Sequence, residues 1–402
     1  MGRADERLLD YVVCPCNPWN GRNSEACMID LPDGRLLLTW SCWTAGSGHD
    51  QATAEIRGKI SENKGETWSD SFLWQAHGHY RAAIEPGLAW LRTGELCFTY
   101  SARLAEKHEG YEGVQQSILS FFKKSADGGI TWTKPKLINP EGLSLTVVFW
   151  DKLRVSATGR VLAGATTWWR DPLPSDPDER DRSRAFVLYS DDDGESWRMS
   201  NALIVEEARG FEEASEPWIE QFSDGTWIMM IRNSTGRPFR SFSTDDGATW
   251  SRPEPVALAS ATAPIAIRRI PGTDDLLTVW NQVSKKEIRA GHPRHRLSAA
   301  ITKDRGKTWT HFRNLESNDT RVYVEPEPID GPVKRDPGRK GHTPLQASET
   351  EHELTGSRYT NCSYAAILFF EGCAFLTYDI SGPGEPGGLK FRRMPIEWFY
   401  DA

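Results

Sequence analysis

Ser190-Asp191-Asp192-Asp193-Gly194-Glu195-Ser196-Trp197 is one of five stretches written to a single pattern, S/T-x-D/N-x-G-x-S/T-W. The others begin at Ser61, Ser125, Ser243 and Thr302 and end at Trp68, Trp132, Trp250 and Trp309. Each position has a physical task. The acid or amide bonds the backbone of its own turn, glycine supplies a dihedral that other residues avoid, and tryptophan lays its ring under the turn. The pattern therefore predicts a stapled hairpin turn. Successive copies start 64, 65, 53 and 59 residues apart, so the chain repeats a unit of about sixty residues.

Between the turns lie short alternating runs that read as strands, among them 35–40, 95–100, 226–231 and 374–378. A unit of that length, with several strands and no helical period, matches one four-stranded propeller blade with generous loops. Six such units fill 402 residues, which predicts an all-β, six-bladed propeller as one domain over residues 1–402. The sixth unit lacks the turn motif. The sequence predicts its closure by strands around Ala374 to Tyr378 with partners from near Tyr11 to Val13, which removes exposed sheet edges. The Pro-rich, charged segments near 171–184 and 316–360 break the rhythm and read as loop excursions on one face.

Composition limits what such a ring does. The net charge is −8, with 38 % hydrophobic and 26 % charged residues, an ordinary balance for a folded globular chain. An acidic chain lacks the broad basic field of non-specific nucleic-acid binding, so an anionic ligand has to be captured locally. The longest apolar runs, such as 365–370, are far shorter than a membrane span. The mixed-charge N-terminus has no apolar leader, which predicts a cytoplasmic protein, or a secreted one whose signal has been removed. Seven cysteines without C-x-x-C spacing read as reduced, buried thiols, and Cys14-Pro15-Cys16 as structural. His77, His79, His292 and His295 read as loop histidines with no third ligand beside them, and no nucleotide-binding fingerprint or serine-hydrolase elbow occurs. No metal and no cofactor is expected.

The five motifs resemble the Asp-boxes of the sialidase (neuraminidase) superfamily, and the likeness covers residues from about 20 to 400. Asp-boxes also occur in propellers that are not sialidases, so the function has to be argued from the site. The resemblance implies three arginines gripping a substrate carboxylate, an aspartate acid/base, and a tyrosine nucleophile assisted by a glutamate. The chemistry supports that choice. A sialic acid carries its carboxylate on the carbon under attack, so a neutral phenol is repelled less than a carboxylate nucleophile. With a reference pKa near 10, the phenol needs an adjacent base. Arginine suits the carboxylate because its planar fork engages two oxygens.

Carried over residue by residue, Ser363-Tyr364 and the strand after it resemble the family's tyrosine-bearing strand. Tyr364 is the candidate nucleophile, with Tyr359 a second candidate nearby and Tyr378 a core residue. The segment 216–237 resembles the one that places the glutamate before the second arginine. Glu220 and Arg237 match the spacing best, and Glu216 and Arg232 are rivals because a small register shift exchanges the faces. Arg294 or Arg296 resembles the third arginine. Asp50, in the Gly-rich loop 46–50 ahead of the first motif, is the candidate acid. The family's aromatic-Arg-Ile-Pro opening is replaced by Asn20-Gly21-Arg22-Asn23, which leaves Arg22 as first arginine with Arg81 as a rival.

The resulting expectation is a retaining exo-glycosidase acting on a terminal sialic acid or related acidic sugar, its partner being an acidic carbohydrate. The rivals are a non-catalytic propeller that binds acidic glycans or a protein, and a polysaccharide lyase. Trp19, Trp43, Trp150, Trp168 and Trp169 exceed what blade cores need and are candidate sugar-stacking surfaces.

Overall fold

The computed structural model describes residues 8–107, 116–143, 145–168 and 182–401. Its strands form an all-β propeller. Three of its sheets follow one another with four antiparallel strands each. The first holds Thr146–Val155, Val161–Thr167, Arg184–Ser190 and Arg198–Met199. The second holds Ser215–Gln221, Trp227–Arg232, Phe239–Ser243 and Glu254–Pro255, and the third Ile265–Arg269, Leu276–Asn281, Arg296–Thr302 and Thr310–Ser317. A fourth such sheet joins the two ends of the chain. Leu9–Pro15 pairs with Glu385–Pro395, beside Cys373–Gly382 and Asn361–Phe370. The N-terminal strand thus enters the expected sheet, but its hydrogen-bonded partner is 385–395, with Tyr11 opposite Phe391, rather than 374–378.

Where six separate blades were expected, four free-standing four-stranded sheets are present. The remaining eight strands, from Arg22–Asp30 to Lys136–Leu137, are one connected sheet. The cause is a single parallel pairing of Ala54 with Ala82, two small residues at the starts of Ala54–Ser61 and Ala82–Trp90. Strands near the centre are apolar on both faces because each sheet packs between neighbours. Leu36–Trp43 is buried at every position. Phe98 is fully buried among Ile29, Leu37, Ile56 and Leu88, a burial that contributes about 2–3 kcal/mol.

The five quoted turns share one hydrogen-bond scheme. The first hydroxyl accepts from the glycine N–H at 2.7–2.9 Å in each, as in Gly194 to Ser190 at 2.8 Å. The acid or amide accepts from the N–H four residues on, at 2.8–2.9 Å. At Gly247, with φ of 82°, an added Cβ lies 2.3 Å from Leu162 Cδ2, so both backbone and packing require glycine.

A six-residue helix, Lys285–Ala290, interrupts the strand pattern. Ser284 and Glu287 form a capping box and left-handed Gly291 ends the helix, a local signal legible at 284–291 that the strand rhythm masks. The expected excursion after Ser317 is long and irregular and packs back on the ring, Val333 donating to the Ser234 carbonyl and Val324 to Gln282. The other excursion lies outside the described residues over 171–181. Among the described residues no helix is long and apolar enough to cross a membrane.

Candidate active site

Side chains gather at the axis because the first strand of a sheet bulges there. Glu25, Glu85, Asp151, Glu216 and Tyr364 all have left-handed backbones, φ 45–62°, and each falls where strand register shifts. Such a conformation is strained for residues with a Cβ, and it turns their side chains out of the strict in-out alternation. Four of these five are acids.

At this end of the strands opens a cavity of about 870 Å³, lined by Arg22, Asp50, Glu212, Arg232, Arg294 and Tyr364 among others. Arg22 bonds Asp50 and Glu25, each at 2.6 Å, and lies 4.1 Å over the Trp43 ring and 5.3 Å over that of Tyr364. Arg232 bonds Glu216 at 2.7 Å and stands 3.8 Å from Glu212. Arg294 lies 4.9 Å over the Tyr364 ring and donates to its hydroxyl at 3.5 Å. Arg22 and Arg294 therefore flank the Tyr364 phenol, and Arg232 lines the same cavity. Glu216 Oε2 and Arg232 Nε are buried with no hydrogen-bond partner among the described residues, so each is a free acceptor or donor at the site.

The electrostatics follow from this crowding. Burial raises the Tyr364 pKa above the usual phenol value; Glu216 adds to the rise, while Arg294, Arg22 and Arg232 oppose it. Desolvation works to raise the Asp50 carboxyl, but the charge and hydrogen bond of Arg22, with Arg103 and Arg294, win and hold it below the ordinary aspartate range. Burial pushes Glu25 up to about 7 against the pull of Arg22. Asp379, buried and bonded to the Ser363 N–H at 3.0 Å, is raised by burial against Arg22 and Arg294.

The alternatives left open by sequence separate spatially. Arg232 lines the cavity, and Glu216 is paired with it at 2.7 Å without itself lining the space. Glu220 does not line the cavity; it sits 3.8 Å from Arg154 and 3.7 Å from Arg268, because the bulge between Ser215 and Trp218 shifts the register that spacing assumes. Arg237 donates instead to the Val256 carbonyl at 2.9 Å. Arg294 reaches Tyr364 from the loop ahead of strand Arg296–Thr302, whereas Arg296, the first residue of that strand, is fully buried and bonds Asp319 at 2.7 Å and Glu287 at 3.1 Å. Arg22 lines the cavity, and Arg81 donates to the Gln51 carbonyl at 3.2 Å outside it. Tyr359 packs against the core, and Tyr378 is buried with its hydroxyl on Glu316. Trp43 underlies Arg22, Trp150 packs edge-on to Tyr364 at 5.1 Å, Trp168 meets Phe149, Trp19 is exposed, and Trp169 lies outside the described residues.

Several functional neighbours were not anticipated: Glu25, Glu212, Asp379, and Lys334, Arg335 and His342 from the excursion after Ser317. A signal for the first kind exists. Ser24-Glu25, Ile84-Glu85-Pro86, Ser215-Glu216-Pro217 and Ser363-Tyr364 recur near the start of four of the units as a second, fainter repeat. His292 bonds Glu349 and His295 bonds Glu287, both at 3.0 Å, and His77 meets the Tyr80 carbonyl at 2.7 Å. Among the described residues no cluster of His, Cys, Asp and Glu is arranged to hold a metal, and the seven cysteines are free.

A family model described as a BNR repeat-like domain matches residues 34–373. A sialidase of Paraclostridium sordellii is 26 % identical over 213 residues, 48 % of this chain and 50 % of that protein, so the match spans half of the relative's length. Among solved structures, a protein of unknown function from Dyadobacter fermentans superposes with a TM-score of 0.67 at 16 % identity over 97 % of this chain and 99 % of that one. The intramolecular trans-sialidase from Ruminococcus gnavus, solved with oseltamivir carboxylate, gives 0.66 at 12 % identity over the full length of both chains. Trypanosoma rangeli sialidase, solved with the inhibitor DANA, gives 0.64 at 13 % identity over 96 % and 59 %. At these identities the structural likeness shows the fold.

Proposed function

Since the chain belongs to the BNR repeat-like family of the sialidase superfamily, we propose that it is a retaining exo-glycosidase acting on a terminal sialic acid or a related acidic sugar. The observation that carries this reading is the convergence of Arg22, Arg232 and Arg294 on the cavity that Tyr364 lines, with the unpartnered Oε2 of Glu216 beside Arg232. We read the eight-stranded sheet as two blades fused at Ala54 and Ala82, so that the ring has six, five of them carrying an Asp-box turn.

In this reading the substrate carboxylate enters among the three guanidinium groups, which bind it through paired N–H donors. Binding there competes with Asp50 for Arg22. Freed from Arg22 and set beside the negative charge of the substrate carboxylate, which raises its pKa, Asp50 enters the step in its acid form and protonates the leaving oxygen. Tyr364 Oη then forms a bond to the anomeric carbon as the glycosidic C–O bond breaks, and its proton passes to Glu216 Oε2. Water attacks the same carbon in the second step and gives a proton to Asp50. The Tyr364–carbon bond breaks, and the phenol recovers its proton from Glu216.

A fluorogenic sialoside assay tests the proposal. The wild-type protein is expected to turn over, and Tyr364→Phe and Asp50→Ala each to lose at least about a thousandfold in kcat/KM. Absence of turnover on every member of a panel of 2-keto-acid and uronic-acid glycosides overturns it in favour of a binding propeller, and an unsaturated, ultraviolet-absorbing product in favour of a lyase.

A further inference from the structure

Against Trp150, whose ring packs on Tyr364, lies a buried cation that the proposed chemistry does not use. Lys152 follows left-handed Asp151 on Thr146–Val155 and is fully buried. Its Nζ lies 4.7 Å from the Trp150 ring and 4.5 Å from the Trp218 ring, and donates to the backbone carbonyl of Glu216 at 2.9 Å. A desolvated ammonium is kept only where its surroundings compensate it. Here the compensation is two indole faces, a carbonyl, and the carboxylates of Glu216, Glu85 and Asp151, with Arg154 opposing. Burial still draws the Lys152 pKa down to about 7.

What Lys152 holds is a residue in an unfavourable conformation. Glu216 has φ of 45° and precedes Pro217, and residues before proline are disfavoured in compact backbone regions. The ladder breaks at this point, between Ser215 and Trp218. Side chains of the neighbouring sheet take over. The Glu216 N–H donates to buried Thr166 Oγ1 at 3.0 Å, and its carbonyl accepts from Lys152. Left-handed Glu85 has its N–H held in the same manner by Ser41 Oγ at 2.9 Å, but no lysine is bonded to its carbonyl among the described residues. The two-sided clamp is specific to the strand that carries the proposed base.

We infer that Lys152, with Thr166, is a positioning residue that locks the Glu216 backbone in its left-handed bulge and so aims the carboxylate at Tyr364. This rests on the reading of Glu216 and Tyr364 as base and nucleophile, and the test separates the two. Crystal structures and kinetics of Lys152→Met and Thr166→Val are compared with those of the wild-type protein. In Lys152→Met, Glu216 is expected to leave its left-handed conformation and its 2.7 Å contact with Arg232. With a fluorogenic sialoside, kcat is expected to fall at least about thirtyfold while KM changes less than about threefold. Thr166→Val is expected to do the same more weakly. Glu216 unmoved in Lys152→Met, or moved with kcat unchanged, overturns the inference. A lowered melting temperature with unchanged kcat also overturns it, because that is the mark of a merely structural lysine. If the wild-type protein hydrolyses no acidic glycoside, the proposed function fails while the crystallographic comparison still decides the clamp. Should Lys152→Met not fold, Lys152→Gln and Thr166→Val provide both readouts.

Discussion

Glu216 and Glu220 lie on one strand, about 13 Å of extended chain apart, and both face arginines. Their surroundings differ in kind. Glu220 belongs to a closed cluster in which Arg154 and Arg268 are offset by Glu220 and Asp151, with Arg268 also tied to the Ile367 carbonyl. Burial, reinforced by Arg268, draws the Arg154 pKa down to about 10. Glu216 pairs with Arg232, which lines an open cavity where Arg294 makes no ion pair among the described residues; among them the buried Oε2 of each glutamate lacks a hydrogen-bond partner, but that of Glu220 stands within 3.8 Å of both Arg154 and Arg268. The same residue types make structure where they neutralise one another, and a candidate site where an arginine partner borders an open cavity.

The contrast is broken or sharpened first by paired substitutions on this strand. Glu216→Gln is expected to lower kcat/KM for a sialoside by about a thousandfold, and Glu220→Gln by less than about threefold. Equal losses erase the distinction. Next, Arg294→Ala is expected to raise KM on the order of a hundredfold with the fold intact. Arg268→Ala leaves Asp151, 2 % exposed, without its closest cation, and is expected to cost about 3 kcal/mol in denaturant unfolding while activity persists. A smaller effect concerns pH. The Glu25 carboxyl is higher in the folded protein, at about 7, than in the unfolded chain, so stability falls as pH rises from the ordinary carboxyl range through 7. Glu25→Gln is expected to flatten that decline in melting temperature, and a slope identical to wild type refutes the assignment. The smallest effect belongs far from the cavity. Gly247→Ala is expected to cost about 1–3 kcal/mol by forcing a Cβ into Leu162, with kcat/KM of the folded protein unchanged.

The legibility of these parts follows their range along the chain. A turn stapled within eight residues, such as 190–197, carries all its bonding partners locally, so reading it requires no knowledge of the ring. Tyr364, Asp50 and a choice of arginines were legible as residue types at family spacing. The choice between Glu216 and Glu220 was not, because spacing arguments assume unbroken alternation and the strand breaks it at 215–218; nor was the choice between Arg232, at the end of its strand, and Arg237, in the turn beyond it. The first-ranked pair was the one that assumption favours. The capping box at 284–291 was readable but outweighed by the strand rhythm.

By itself the sequence determined the repeat, the stapled turns, the strand-rich unit and the presence of enough arginine and tyrosine for an acid-binding site, because each depends on neighbours in the chain. The tertiary structure decided which of those side chains meet. Arg22, Arg232, Arg294 and Tyr364 come from strands or loops of different sheets, and only closure of the ring brings them to one cavity, Tyr364 from a left-handed bulge.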